Sequence, residues 1–364
     1  MSLEMTPVQR ERLQEQQTRY TQPFFLMQIA LVVVLMVVPF VPSFRVMDVA
    51  AKIMIFTVVV ASYDLILGYT GLLSFAHAMF FGIGAYSIAL LCYHSGNPQW
   101  YHLILAPATA LALSVVLALV LAFFSLRTKA IFFAMLSLAL ADFFHILGMT
   151  WSDLTLGEDG ITFSLPGIFN INWSGLSLFG LEIGPRMMTY YFILVVSVGL
   201  FLCLLRFVRS PVGRVLKSIR DNEQRSTALG FKTFRYQIYS IVFGSSFSAL
   251  GGILFGMWLR FVDPDSVLGV FTMIDYLLMV IIGGLGTLYG SIIGVAFFIF
   301  TQAWLPDLLR GIADLFPDFE IVHRIAERWM AFLGLMFIVA ILVFPKGVVG
   351  TIREMIARRR KIGY

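Results

Sequence analysis

The sequence is poor in charge, poor in lysine and almost without cysteine, and each shortage narrows what it can be. Only 13% of its 364 residues are charged, against about a quarter in an ordinary soluble domain. With 59% hydrophobic residues, that shortage excludes a soluble globular enzyme and describes a polytopic membrane protein. The net charge of +5 is no nucleic-acid footprint, because such a footprint needs basic residues gathered on one face of a soluble module. Cys92 and Cys203 lie in different apolar segments, so neither a disulfide framework nor a cysteine-spaced metal site can be built from them. Both read as packing residues. The six lysines never follow a glycine, so the phosphate-cradling G-x-x-x-x-G-K-[ST] motif is absent. If ATP drives this protein, another chain binds it.

What the sequence has is apolar length. A membrane span takes about 20 mostly apolar residues. Candidates fall at 24–41, 49–67, 76–93, 102–126, 130–149, 188–207, 234–257, 268–283, 287–305 and 329–345. The reading is all-α with about ten transmembrane helices. It leaves a polar N-terminal tail at 1–23, a membrane domain at 24–345 and a basic C-terminal tail at 346–364. The first 23 residues are too long and too acidic for the charged region of a signal peptide, so 24–41 is expected to be a retained span.

Lysine and arginine orient the chain, since they collect on the cytoplasmic side. With both termini cytoplasmic, 19 fall inside, among them Arg10, Arg12, Arg19, Lys129 and those from Arg206 to Arg235, and 7 fall outside. The outer loops lean acidic instead, with Asp153, Glu158, Asp159, Asp263 and Asp265 among their residues. Two readings of that face stand: a solvated surface, or a docking surface for an extracytoplasmic partner.

The inner loop 208–233 is long for a connection, which commonly runs about 4–6 residues. Pro211 suits a first helical turn. Arg214, Lys217 and Arg220 recur every three residues, on neighbouring turns. A second helical stretch from Glu223 ends at Gly230, a plausible glycine stop. Such a loop either meets lipid headgroups or receives the push of a soluble partner.

The stretch LGYTGLLSFAHAMFFGIGAYSIALL at 67–91 holds Gly68, Gly71, Gly82, Gly84 and His77 where a smooth span would carry leucine or valine. Breaking a helix at membrane depth frees backbone groups, tolerated only where protein or water receives them. Transporters aim such half-helix ends at substrates, whereas small residues also let helices pack closely. Asp64, Ser74 and His77 are therefore either pathway or packing groups. Charge inside the bilayer costs at least about 2.5–3.5 kcal/mol, which also singles out Asp142, His145 and Asp275. Asp142 and His145 lie three apart on one helix face and are expected to pair; Asp275 is expected near the outer interface.

Several of these segments together resemble a known family. DNEQRSTALGFKTFRYQ resembles the cytoplasmic coupling loop of the branched-chain amino acid type of ABC-transporter permease. Its core covers Ser226, Ala228, Leu229 and Gly230, flanked by Arg220 and Glu223. GYTGLLSFAHAMFFGIGAY, GEDGIT at 157–162, IIGGLGTLYGSIIG at 281–294 and FPKGVVG at 344–350 resemble further motifs of that family, in order. The overall likeness is to its LivM-type subunit. The resemblance implies a type II importer fold in the bacterial inner membrane, without cofactor on this chain. It implies as partners a LivH-like sister permease, two cytoplasmic ATPases carrying ATP and Mg, an extracytoplasmic solute-binding protein and membrane lipid. Pathway candidates are Asp64, Gly71, Ser74, His77, Gly283, Gly284 and Gly286. Asp64 and Leu72 depart from the amino-acid pattern, toward the related urea or short-amide permeases. A stand-alone ion-coupled carrier, with Asp64, His77 and Asp142–His145 as a proton relay, and a non-transporting scaffold are the rival readings.

Overall fold

The computed structural model describes residues 33–41, 43–125, 130–170, 176–178, 181–315, 324, 327–344 and 347–351. It divides into two compact units, Met1–Ala50 and Ala51–Tyr364. In the first, residues 33–37 are helical and Val38–Phe40 form a 3-10 turn. The rest of the expected first span, 24–32, lies outside the described residues. So do the N-terminal tail 1–23 and the C-terminal tail apart from 347–351.

Helix α1, Phe44–Asp64, crosses the division and runs into a π-helical turn at Leu65–Tyr69. After a non-helical stretch, α2 covers His77–His94, α3 His102–Ser125 and α4 Ala130–Thr150, with a short α5 at Ser152–Thr155. Helix α6, Pro185–Arg209, leads into the polar pair α7, Pro211–Asp221, and α8, Glu223–Ala228. Helix α9, Thr233–Leu259, is followed by α10, Pro264–Leu268, α11, Val270–Gly283, α12, Leu288–Ala313, and α13, Trp329–Val343. Pro185, Pro211 and Pro264 sit in the first turns of their helices, where a fixed φ helps and a missing N–H costs nothing.

Eight helices among the described residues are long and apolar enough to cross a membrane. Helix α2 is not one of them, although it occupies the expected span 76–93. Its glycines and terminal histidines lower its hydropathy. It can afford them because thirteen of its eighteen residues are buried by protein, so lipid does not set its composition. The outward-facing helices show the opposite pattern: Ile104 of α3 and Ile131 of α4 are 76% and 71% exposed.

The interior is built on small residues. On α9, Gly244, Ser248, Gly252 and Gly256 recur every four residues along one face. A Cβ on Gly252 would strike the Phe81 carbonyl, and one on Gly84 the Ala249 carbonyl. The α2–α9 crossing is thus backbone against backbone, the packing reading of Gly84. Gly82 in turn admits the Leu268 side chain of α10. Gly252→Leu is expected to force these backbones apart. The change should cost at least the about 1–3 kcal/mol of ordinary overpacking, measured as a lower melting midpoint of the detergent-purified protein.

The all-α expectation holds apart from two ribbons. Ile161–Thr162 (β1) pairs antiparallel with Phe261–Val262 (β4), and Leu176–Leu178 (β2) pairs with Leu181–Ile183 (β3). The GEDGIT motif makes the first ribbon possible. Gly160, at φ 70°, lies where any Cβ would meet the Phe261 ring and the Val262 carbonyl.

Candidate functional site

The break after α1 leaves backbone groups without helical partners, and side chains from distant elements receive them. Thr70 Oγ1 donates to the Leu65 carbonyl at 3.1 Å and shares a 2.6 Å hydrogen bond with Ser240 of α9. The Ser240 hydroxyl also lies 3.2 Å from the Leu65 carbonyl, but with Thr70 donating to that carbonyl its single proton serves the Thr70 bond. The Phe75 N–H donates to Ser137 Oγ of α4 at 2.9 Å. Ser240 and Ser137 are fully buried. Neither was a sequence candidate, although serine in an otherwise apolar helix is the signal that could have found them.

A second break lies between α11 and α12. Gly284 and Gly286 adopt φ of 111° and 75°, left-handed values that a side chain disfavours. Gly283 faces the Gly290 carbonyl and Gly294 the Met279 carbonyl, so the two helices close tightly around the turn. The C-terminal motif reaches the same place. A Cβ on Gly347, at φ 72°, would land on the Gly284 backbone.

The two breaks touch. The buried Asp64 carboxylate accepts the Gly286 N–H on Oδ1 at 2.7 Å. A Cβ on Gly68 would collide with both Asp64 Oδ1 and the Gly286 nitrogen. Arg220 of α7 then joins them from the polar loop. Its Nη1 donates to the Gly68 carbonyl, and a Cβ on Gly286 would lie 2.7 Å from that same Nη1. Gly71, at φ 80°, leaves room for the Arg220 stem, whose Cγ would be 3.0 Å from an added Cβ. Lys217, one turn earlier, lies 4.8 Å above the Tyr69 ring, a cation–π distance. Charged side chains therefore cap a carbonyl freed by one break and an N–H of the other.

The loop that supplies Arg220 is rigidly built. Leu216 and Ile219 are buried, anchoring one face of α7, and a Cβ on Gly213 would strike the Val208 carbonyl. Asn222 Oδ1 accepts the Arg225 N–H at 2.8 Å, capping α8. Buried Ser226 shares a 2.9 Å hydrogen bond with Ser218. Glu223 accepts from the Gln237 amide of α9 at 3.1 Å. Beyond Ser226 the loop turns outward. Ala228 and Gly230 are exposed, Leu229 is 67% exposed, and Gly230 has φ 89°.

His77 stands apart from this junction. Its Nε2 lies 2.9 Å from Ser62 Oγ and 3.2 Å from the Val59 carbonyl. Because Ser62 itself donates to Val59 at 2.7 Å, the histidine proton belongs on Nε2. The ring packs on Tyr63 at 5.2 Å, fully buried. Ser74 is buried too. The expected Asp142–His145 pair does not form. His145 pairs instead with Asp265 at 2.9 Å, because α10 lies against α4 and brings that carboxylate closer. Asp275 on α11 is half-buried.

The sequence model of the family described as branched-chain amino acid transport system / permease component matches residues 45–341. The high-affinity branched-chain amino acid transport system permease protein LivM of Salmonella typhimurium is 26% identical to this chain, over 92% of the chain and 76% of that protein. LivM of Escherichia coli strain K12 matches to the same extent. LivH of Salmonella typhimurium is 22% identical, over 81% of the chain and 91% of that protein. No solved structure matches.

Proposed function

Because the chain belongs to the branched-chain amino acid transport permease family, we propose that it imports branched-chain or other hydrophobic amino acids as the LivM-like subunit of an ATP-driven complex. The family consists of transport permeases and not of enzymes, and the chain is a multi-pass inner-membrane protein. Its partners in this reading are a LivH-like sister permease, two cytoplasmic ATPases carrying ATP and Mg, and an extracytoplasmic binding protein. Both termini and the loop 208–233 face the cytoplasm, and ten helices span. Exposed Asp153, Glu158, Asp159 and Asp265 form the face on which the binding protein docks. ATP closes the ATPase dimer, the loop moves, and the pathway opens by alternating access. Names of the matched relatives favour the amino acid branch over urea or short amides, despite Asp64 and Leu72.

The observation that carries this reading is the junction itself: Arg220 of the loop 208–233 caps the Gly68 carbonyl of one glycine break and lies against Gly286 of the other. A loop serving only headgroup contact has no need of such a grip. In cells expressing the chain with its partners, uptake of radiolabelled leucine should stop when ATP is depleted and the proton gradient is held. Unlabelled isoleucine should compete, and urea should not. Uptake that survives ATP depletion would establish the ion-coupled carrier instead, and competition by urea alone would move the substrate to the amide branch.

A further inference from the structure

Asp64 keeps one oxygen unused. Oδ1 accepts the Gly286 N–H, but Oδ2 is buried and has no hydrogen-bond partner. A buried carboxylate oxygen without a donor is costly, so this arrangement is expected to be one setting of a group that has another. A side-chain donor stands beside the same junction. Arg220 Nη1 flanks Gly286, the residue whose N–H Asp64 holds. The guanidinium is spent here on a neutral carbonyl, that of Gly68, and its charged contact is a loose 3.6 Å approach to Asp221 on its own helix. Its side chain is 39% exposed, and its stem lies against Gly71 and its Nη1 against Gly286, neither of which carries a Cβ.

We propose that Arg220 is a positioning residue with two settings, capping the Gly68 carbonyl in the state described and pairing with Asp64 Oδ2 when the loop 208–233 advances. In the first setting the π-helical turn is held by a neutral cap, and the carboxylate holds only the second break. In the second, Arg220 leaves Gly68 and a charge-assisted pair forms across Gly286, tying α7 to both breaks at once. The guanidinium fork suits this role, because it reaches two acceptors from one stem. Displacement of a soluble partner on the loop would thus change which backbone group at the break is capped, and with it the geometry of the turn entering α2. This inference rests on the coupling reading above.

The test separates the carboxylate's two duties. Asp64→Asn keeps an oxygen to accept the Gly286 N–H but removes the charge that Arg220 would meet. If Asp64 only staples Gly286, this variant transports normally. With two settings, leucine transported per ATP hydrolysed by the assembled complex falls about tenfold, within the range of about 5–150-fold that typical coupling free energies span. Arg220→Gln should fall as far, Arg220→Lys should recover part of the loss, and the Asp64→Asn/Arg220→Gln double variant should be no worse than either single change. A coupling ratio within twofold of native in either single variant overturns the proposal, as does additive loss in the double variant. Should Asp64→Asn not assemble, half-exposed Arg220→Gln decides alone. If instead removal of Ala228–Gly230 leaves uptake intact, the coupling reading itself fails. Loss on that deletion with native-like Arg220 and Asp64 variants sinks only the two settings.

Discussion

Removing Ala228–Gly230 is expected to reduce leucine uptake by about a hundredfold, toward the upper end of what coupling energies provide, while the protein still inserts and folds. The reason is where these three residues are. Ser226 is buried and wired to Ser218, and Asn222 caps α8 at its start, so the contacts that anchor the loop lie before Ala228, which is the last residue of α8. Ala228, Leu229 and Gly230 are exposed, and no side chain or backbone lies within 4 Å of a Cβ built on Gly230. Their loss removes no interior packing. An exposed leucine beside basic residues at the end of an anchored loop is, in the reading proposed above, a contact for another protein and not a support for this one. The deletion therefore isolates transmission. Insertion is read by membrane fractionation, assembly by recovery of the ATPases with the tagged chain, and transport by radiolabelled leucine. Native-rate uptake by the shortened chain would remove 208–233 from the mechanism.

The span pattern was legible because it depends on local composition: lipid-facing helices such as α3 and α4 must be apolar along their length. Helix α2 was legible only in place, not in kind. Its glycines suggested either a pathway or packing, and periodicity could not choose between them. That choice depends on α9, more than 150 residues later in the chain, whose Ala249 meets Gly84 and whose Gly252 meets Phe81. The His145 partner was missed for the same reason, since spacing along one helix predicts neighbours only on that helix. The junction was half legible. Asp64, Gly71, Gly286 and Arg220 each drew attention separately, but nothing local could reveal that Asp64 holds Gly286 or that Arg220 threads past both glycines. Those contacts join positions 222 and 152 residues apart. Buried Ser137 and Ser240 carried a signal too weak to single them out, because a serine in an apolar helix bonds its own preceding turn as readily as a distant break.

A highly damaging single substitution is expected at Gly68, which lies in the π-helical turn at the first break and is crowded there by the second. A valine there would put its Cβ onto Asp64 Oδ1 and the Gly286 nitrogen. It cannot be accommodated by a rotamer change, because one obstacle is backbone and the other is a carboxylate held by that backbone. The two breaks must separate. That breaks the 2.7 Å Asp64–Gly286 hydrogen bond, leaves a buried carboxylate and a part-buried N–H without partners, and moves the Gly68 carbonyl away from Arg220. Overpacking at about 1–3 kcal/mol and unsatisfied buried groups at about 1–3 kcal/mol each place the loss on the order of 5 kcal/mol. That is a large share of the about 5–15 kcal/mol by which proteins are usually stable. Gly199 provides the control. It lies on an exposed face of α6 with nothing within 4 Å of an added Cβ, so Gly199→Val should leave both the yield of folded protein and leucine uptake unchanged. Gly68→Val should lose both, measured as monodisperse protein recovered in detergent and as transport. If Gly68→Val folds and transports like Gly199→Val, the two glycine breaks are not in contact in the working protein, and the junction described here is not the place where the loop's motion enters the membrane.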